Sequence, residues 1–314
     1  MEDDGQVIIS LDTELGWGFH GYDEDQSLSE DGRAERENIH RLLDLFDEFE
    51  APATWAIVGH LFLESCDGDH ASLDRPEWPH TGDWYAQDPG TDVECDPLRY
   101  GPDIITAIET AAPDHEIGSH TFSHVVCSEP TVTPDVLRSE IEASRELACE
   151  RGHDVSTLVY PRNEARYRPA LSEQGITAYR GKSPARKAVE TDTLGGVRRY
   201  LRFMMGCEAP VVVPRRDESG VWDVPASQRL SYNPGSSSLN ERFSEHPRVT
   251  MAKRAIERVS RDGGVYHLWD HPHAFTPEMF RDLRQILQAA RKREVDIVTM
   301  REAVERVDRE VTDD

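Results

Sequence analysis

The chain has 314 residues, with 37% hydrophobic side chains and six Trp to build a large core, a size that one α/β barrel commonly reaches. Against 35 basic residues stand 60 acidic ones, a formal net charge of -25, which argues against nucleic-acid binding through clustered Lys and Arg. Lysine occurs only at 182, 187, 253 and 292, and this acidic, Lys-poor balance points to a salt-rich cytoplasm. There, at about 1 M salt, a Debye length of about 3 Å screens the carboxylates from one another.

The five Cys, at 66, 95, 127, 149 and 207, have no CxxC pairs and no regular spacing, so neither a disulfide framework nor a thiolate zinc site is indicated. No basic segment followed by an apolar one opens the chain, and no run of about 18 apolar residues follows, which predicts a cytoplasmic, soluble protein without a membrane span.

In chain order, Val7 to Leu11 reads as a strand that ends in Asp12-Thr13-Glu14. Asn38 to about Glu50 has helical apolar spacing, and Ala53 to Gly59 reads as a buried strand. Residues from about 65 to 100 are rich in Asp, Gly, Pro and aromatics without periodicity, a long loop insertion expected to overhang one end of the barrel. A helix is expected over Pro102–Ala112 and a short strand over His115–Gly118. Thr133 then N-caps a helix to Arg151, and Thr157–Tyr160 and Thr177–Arg180 are further strands. Val221–Val224 and Gly264–Trp269 read as strands with a helix from about Thr250 to Arg261 between them. A helix over Pro277–Lys292, a strand over Val295–Val298 and a final short helix complete the chain. This alternation predicts a parallel sheet and, at this length, a single barrel domain over residues 1–314.

The residues that carry chemistry fall at the C-terminal ends of these strands: Asp12 and Glu14, His120 and His124, Arg162, Asp223 and His271. In a parallel barrel that is the face where sites are built. His120 and His124 are four apart, so a helix or helical turn would present both imidazoles to one ion. Asp12 and Glu14 are two apart at a strand end and point to the same side. Two His and one carboxylate leave coordination positions open for water and substrate, as a catalytic metal site requires. Zinc is the first choice, and cobalt, manganese, iron or nickel would accept the same ligands.

Ser10–Gly18, Ala53–Gly59, Glu116–His124, Tyr160–Asn163 and Trp269–Pro272 together resemble the polysaccharide deacetylase superfamily, the metal-dependent de-N-acetylases of carbohydrate esterase family four and their relatives. Within it the sequence is most similar to a branch associated with surface-polysaccharide biosynthesis. The resemblance implies an irregular (β/α)7-type barrel that removes N-acetyl groups from an amino sugar of a polysaccharide or its precursor. It also implies roles: Asp12 as catalytic base, Glu14, His120 and His124 as metal ligands, Arg162 as the residue that orients the base, and His271 as general acid.

Two departures stand out. Thr13 separates carboxylates that are adjacent in the commoner motif, and Glu replaces Asp as the ligand; Trp222-Asp223 is only a stand-in for the fourth motif. Asp12 as a second ligand, Arg162 as a plain ion-pair partner and His273 as the acid stay open. So do a non-sugar cyclic amide as substrate, a catalytically silent carbohydrate-binding barrel, and a homo-oligomer.

Overall fold

The computed structural model describes residues 5–19, 27–77, 82–88, 90–184, 195–232 and 245–313. Strand β1 (Gln6–Thr13) is buried along its whole length, as a run of Val, Ile and Leu between two packed faces requires. It is followed by α1 (Arg33–Phe49), β2 (Thr54–Ile57), α2 (Pro102–Thr110), β3 (Glu116–Ser119), α3 (Pro134–Glu150), β4 (Thr157–Val159), α4 (Arg168–Glu173) and β5 (Ala178–Gly181). Then come α5 (Gly195–Met204), β6 (Arg215–Arg216), β7 (Trp222–Pro225), β8 (Gln228–Arg229), α6 (Pro247–Asp262), β9 (Val265–Asp270), α7 (Pro277–Lys292), β10 (Asp296–Val298) and α8 (Met300–Asp313). Helix starts follow local chemistry. Pro occupies the first turn of α2, α3, α6 and α7, where its missing N–H costs nothing, and Thr133 and Thr276 cap α3 and α7 by accepting from Val136 and Met279.

The sheet runs β6-β7-β5-β4-β3-β2-β1-β9-β8, with β10 added beside β1, and every pairing except β6–β7 is parallel. β7 pairs with β5 while β8, only two residues further along, pairs with β9. This one segment therefore joins both ends of the path and curls the sheet into the expected α/β barrel architecture.

Two apolar clusters result. The larger lies between the sheet and its outer helices; the smaller fills the barrel, where Ile8, Ala56, Val159, Val224 and Val265 meet Met300, Ala303 and Val304 of α8. α8 docks where β2, β3 and β4 begin. The buried Glu116 carboxylate accepts from Thr54 Oγ1, Thr157 Oγ1 and the Arg301 N–H, and Thr54 Oγ1 accepts from Met300 N–H. With that end plugged, the C-terminal ends of the strands form the other end of the barrel, its mouth. No helix among the described residues is long and apolar enough to cross a membrane.

Candidate active site

β1 delivers Asp12 to the mouth, and Glu14 follows just past its end, before the turn Leu15–Phe19. The two carboxylates face one way: His271 Nε2 lies 3.7 Å from Asp12 Oδ2 and 3.6 Å from Glu14 Oε1.

His120 and His124 come from the segment after β3, which is a loop and not the helical turn expected from their spacing. Thr121 and His124 both have left-handed backbone, with φ of 62° and 60°, and this folds the loop so that the imidazole centroids stand 4.9 Å apart. Leu15, Arg162 and Asn163 around the same mouth also have positive φ, a concentration of strained backbone typical of functional sites. The surroundings hold this loop in place. Gly59 and His60 donate their N–H groups to the Thr121 and Phe122 carbonyls. The buried Glu140 of α3 accepts from Ser123 N–H, Ser123 Oγ and Tyr85 Oη.

Glu14, His120 and His124 converge: one carboxylate oxygen, Oε2, lies 3.3 Å from His120 Nε2 and 3.0 Å from His124 Nε2, with all three residues buried. His120 Nδ1 donates to the Val159 carbonyl at 2.7 Å, so the Nε2 lone pair is the one aimed at Glu14. Two imidazole nitrogens and a carboxylate directed at one buried point are the donor set of a divalent cation, and these residues fit such an ion. His124 Nδ1 has no hydrogen-bond partner among the described residues; its ring is placed by the left-handed backbone and by contact with His120. Burial opposes ionisation of Glu14, but His271, His124 and His120 outweigh it and hold its carboxyl well below the usual range.

Asp12 shows where the expected roles shift. Its two oxygens are each held at 2.6 Å by Arg180, from β5, so the guanidinium that grips Asp12 is that of Arg180 and not that of Arg162. Arg162 stands instead near His124, where its charge helps burial lower that imidazole's pKa. Its neighbour Asn163 accepts from Arg180 Nε and Nη2, so the segment after β4 contributes to the Asp12 network through the next residue along. Behind Arg180, Ser10 Oγ accepts from its Nη1 and so turns its own hydrogen to His267 Nε2, 2.8 Å away. His267 is fully buried, and burial pushes its pKa down to about 3. Burial opposes ionisation of Asp12 too, but Arg180, then His271 and His120, keep its pKa below the ordinary value.

His271 follows β9. Burial lowers the pKa of its imidazole, but Glu14, Asp270 and Asp12 together raise it above the ordinary value, which favours the charged form. His273, 5.2 Å from it centroid to centroid, is held neutral instead, at about 4, first by burial and then by the His271 charge. The pKa values of the two His residues are thus pushed in opposite directions, and His271 is the one better suited to give a proton. Trp269 lies beneath Arg180, with the guanidinium carbon 4.2 Å from its ring centroid, and the guanidinium carbon of Arg229 also lies over the ring, 5.2 Å from the centroid. Asp223, on β7, fills the space over Gly181, where any Cβ would meet its Oδ1 at 1.8 Å.

Residues 27–178 match the family model of the polysaccharide deacetylases. The match supports that family for the chain; it takes in His120, His124 and Arg162 and leaves Asp12, Glu14, Arg180 and His271 outside. No curated protein matches the sequence. Among solved structures, a candidate polysaccharide deacetylase from Mycobacterium smegmatis is similar at 14% identity and a TM-score of 0.60, with 99% of this chain and 92% of that one covered. The 4-α-glucanotransferase of Thermococcus litoralis is similar at 14% identity and a TM-score of 0.54, over 96% of this chain and 40% of that one. A GH57-type branching enzyme from Pyrococcus horikoshii reaches 10% identity and a TM-score of 0.50, over 96% and 70%. At these identities the likeness speaks for the fold, and the differing names of these enzymes mean that the fold does not choose the reaction.

Proposed function

We propose that the protein is a metal-dependent hydrolase that removes N-acetyl groups from an amino sugar of a polysaccharide or its activated precursor. The observation that carries this reading is the pairing of a three-residue metal-type donor set, Glu14, His120 and His124, with a carboxylate outside that set, Asp12, on the same side of the mouth. A divalent cation held there, zinc by preference for these donors, lowers the pKa of water and polarises an amide carbonyl.

The chain's own groups supply the proton transfers. Asp12, kept ionised by Arg180, takes the proton of the attacking water; His271, whose pKa the carboxylates around it raise, passes a proton to the departing nitrogen. The family match over residues 27–178 supports deacetylation over other amide hydrolyses.

The surface-polysaccharide branch rests on the motif resemblance. The salt-rich cytoplasm rests on the charge of -25 and the scarcity of Lys, and the halophilic archaeal origin on the resemblance. The single intervening residue between Asp12 and Glu14 favours one alternative, hydrolysis of a cyclic amide. Acetate release from N-acetylglucosamine oligomers decides between them: the proposal expects stoichiometric acetate and a free amine, and turnover confined to cyclic amides would refute it.

A further inference from the structure

Outside the mouth, four side chains of metal-binding type meet on the long connection between β2 and α2. His60 lies on the turn Gly59–Phe62 directly after β2, while Cys66, His70 and Asp88 come from the aperiodic segment beyond it. One donor atom from each lies within 4.8 Å of the other three. The side chains of His60 and Asp88 are fully buried and that of His70 is 10% exposed.

The spacing of the donors suits one ion. Ligands at about 2.0–2.3 Å in a tetrahedral arrangement lie about 3.3–3.6 Å from one another. Here His60 Nε2 is 3.2 Å from Asp88 Oδ2, and Cys66 Sγ is 3.5 Å from both His60 Nε2 and Asp88 Oδ2. The His70 Nε2–Asp88 Oδ2 edge is shorter, at 2.5 Å, and has to widen for an ion.

The next layer of contacts points the same way. His60 Nδ1 faces the Arg99 carbonyl at 2.9 Å; a carbonyl only accepts, so the hydrogen sits on Nδ1 and the Nε2 lone pair is turned inward. Tyr100 Oη accepts from Thr91 N–H and sends its own hydrogen toward Cys66 Sγ, 3.0 Å away, the kind of support a thiolate ligand takes. A Cys–His–Asp nucleophile is the obvious rival. In such a relay the imidazole uses one nitrogen for the thiol and the other for the carboxylate. Here Cys66 and Asp88 crowd the same nitrogen, Nε2, and Nδ1 is committed to backbone. That is the arrangement of ligands about a common centre.

We propose that His60, Cys66, His70 and Asp88 form a second, structural zinc site, closed by four protein ligands and separate from the Glu14–His120–His124 centre. The thiolate and two imidazoles select zinc over magnesium or calcium. Its position gives it a task. His60 donates its N–H to the Phe122 carbonyl, and the rings of His60 and His70 lie 5.5 and 5.1 Å from that of Phe122, inside the loop that carries His120 and His124. The Arg99 carbonyl that orients His60 also accepts from Trp17 Nε1, next to Glu14's turn. The ion would fasten the β2–α2 connection onto both ligand-bearing segments of the active site.

The test is titration of the metal-free full-length chain with cobalt(II), followed by absorption spectroscopy. The active-site donors contain no sulfur, so a thiolate-to-cobalt charge-transfer band reports the second site alone. The wild type is expected to take up two equivalents, one of them accompanied by the band. His124→Ala should lose one equivalent and keep the band, whereas Cys66→Ser should lose the band and keep the other equivalent. If Cys66→Ser does not fold, a chain with Cys95, Cys149 and Cys207 replaced by Ser and the buried Cys127 by Ala serves instead, and it must retain the band. Metal uptake by folded wild type without a thiolate band, or a band that survives Cys66→Ser, overturns the proposal. Absence of metal only at Glu14, His120 and His124 would leave the band intact and count against the catalytic reading alone.

Discussion

Arg180 and Asp12, 168 residues apart in sequence, are joined by two parallel hydrogen bonds of 2.6 Å inside the barrel mouth, and neither side chain is more than 3% exposed. A guanidinium fork on a carboxylate fixes both its charge and its orientation, which a point charge would not. The prediction is that Arg180→Lys keeps the fold but lowers kcat about tenfold or more at nearly constant KM, because Asp12 is no longer held in plane. Arg162→Lys should have a smaller effect on kcat. Steady-state acetate release measures both, and equal losses would contradict the assignment of Arg180 as the positioning residue.

Glu140 is the buried anchor of the histidine loop. Replacing it by Ala strips the acceptor from Ser123 N–H, Ser123 Oγ and Tyr85 Oη, and each buried donor left unmade costs about 1–3 kcal/mol. The expected outcome is a lower denaturation midpoint together with weaker metal affinity. Unchanged affinity in a destabilised protein would confine Glu140 to the core.

His267 sets a pH dependence of stability. Its folded pKa is about 3, below the ordinary value of 6.5, so the unfolded chain binds the proton first as pH falls. Its contribution is present in full above pH 6.5 and is lost progressively as pH drops from there toward 3. Between pH 7 and pH 5 the loss from this one group is about 2 kcal/mol. Urea unfolding at the two pH values should show it, and His267→Gln should remove about that much of the difference. An identical pH dependence in the variant would refute the account.

The surplus of carboxylates predicts salt-dependent stability. With a formal charge of -25, self-repulsion is relieved as the screening length shortens, so the melting temperature should rise from low to molar potassium chloride. A flat profile would remove the salt-rich cytoplasm from the proposal.

Much of the barrel was legible in the sequence because its strands are apolar runs punctuated by Gly and Pro; the α7 boundaries, Pro277 to Lys292, coincide with the expected ones. What escaped was short or non-local. β6 and β8 are two residues each and carry no periodicity, yet the β7–β8 segment is what joins the ends of the sheet. Arg180 ended a predicted strand at the same face as the other candidates, and that position was the available clue to its role. The His pair sits on a loop because left-handed residues at 121 and 124 do what a helical turn would have done, and spacing alone does not distinguish the two. Glu140 read as one more acid on an amphipathic helix, and only the tertiary fold shows that it is fully buried. His60, Cys66, His70 and Asp88 have irregular spacing, so nothing local marks them as a group.

The central claim is that Glu14, His120 and His124 hold the ion while Asp12 acts beside it as the base. Zinc content by elemental analysis, measured alongside turnover in Asp12→Asn and Glu14→Ala, tests it most directly. The account predicts that Asp12→Asn keeps the active-site ion and loses at least about 100-fold in turnover, the scale of a missing general base, while Glu14→Ala loses that ion and activity together. A Glu14→Ala protein that retains the full wild-type zinc content, or an Asp12→Asn protein that turns over near the wild-type rate, would contradict it.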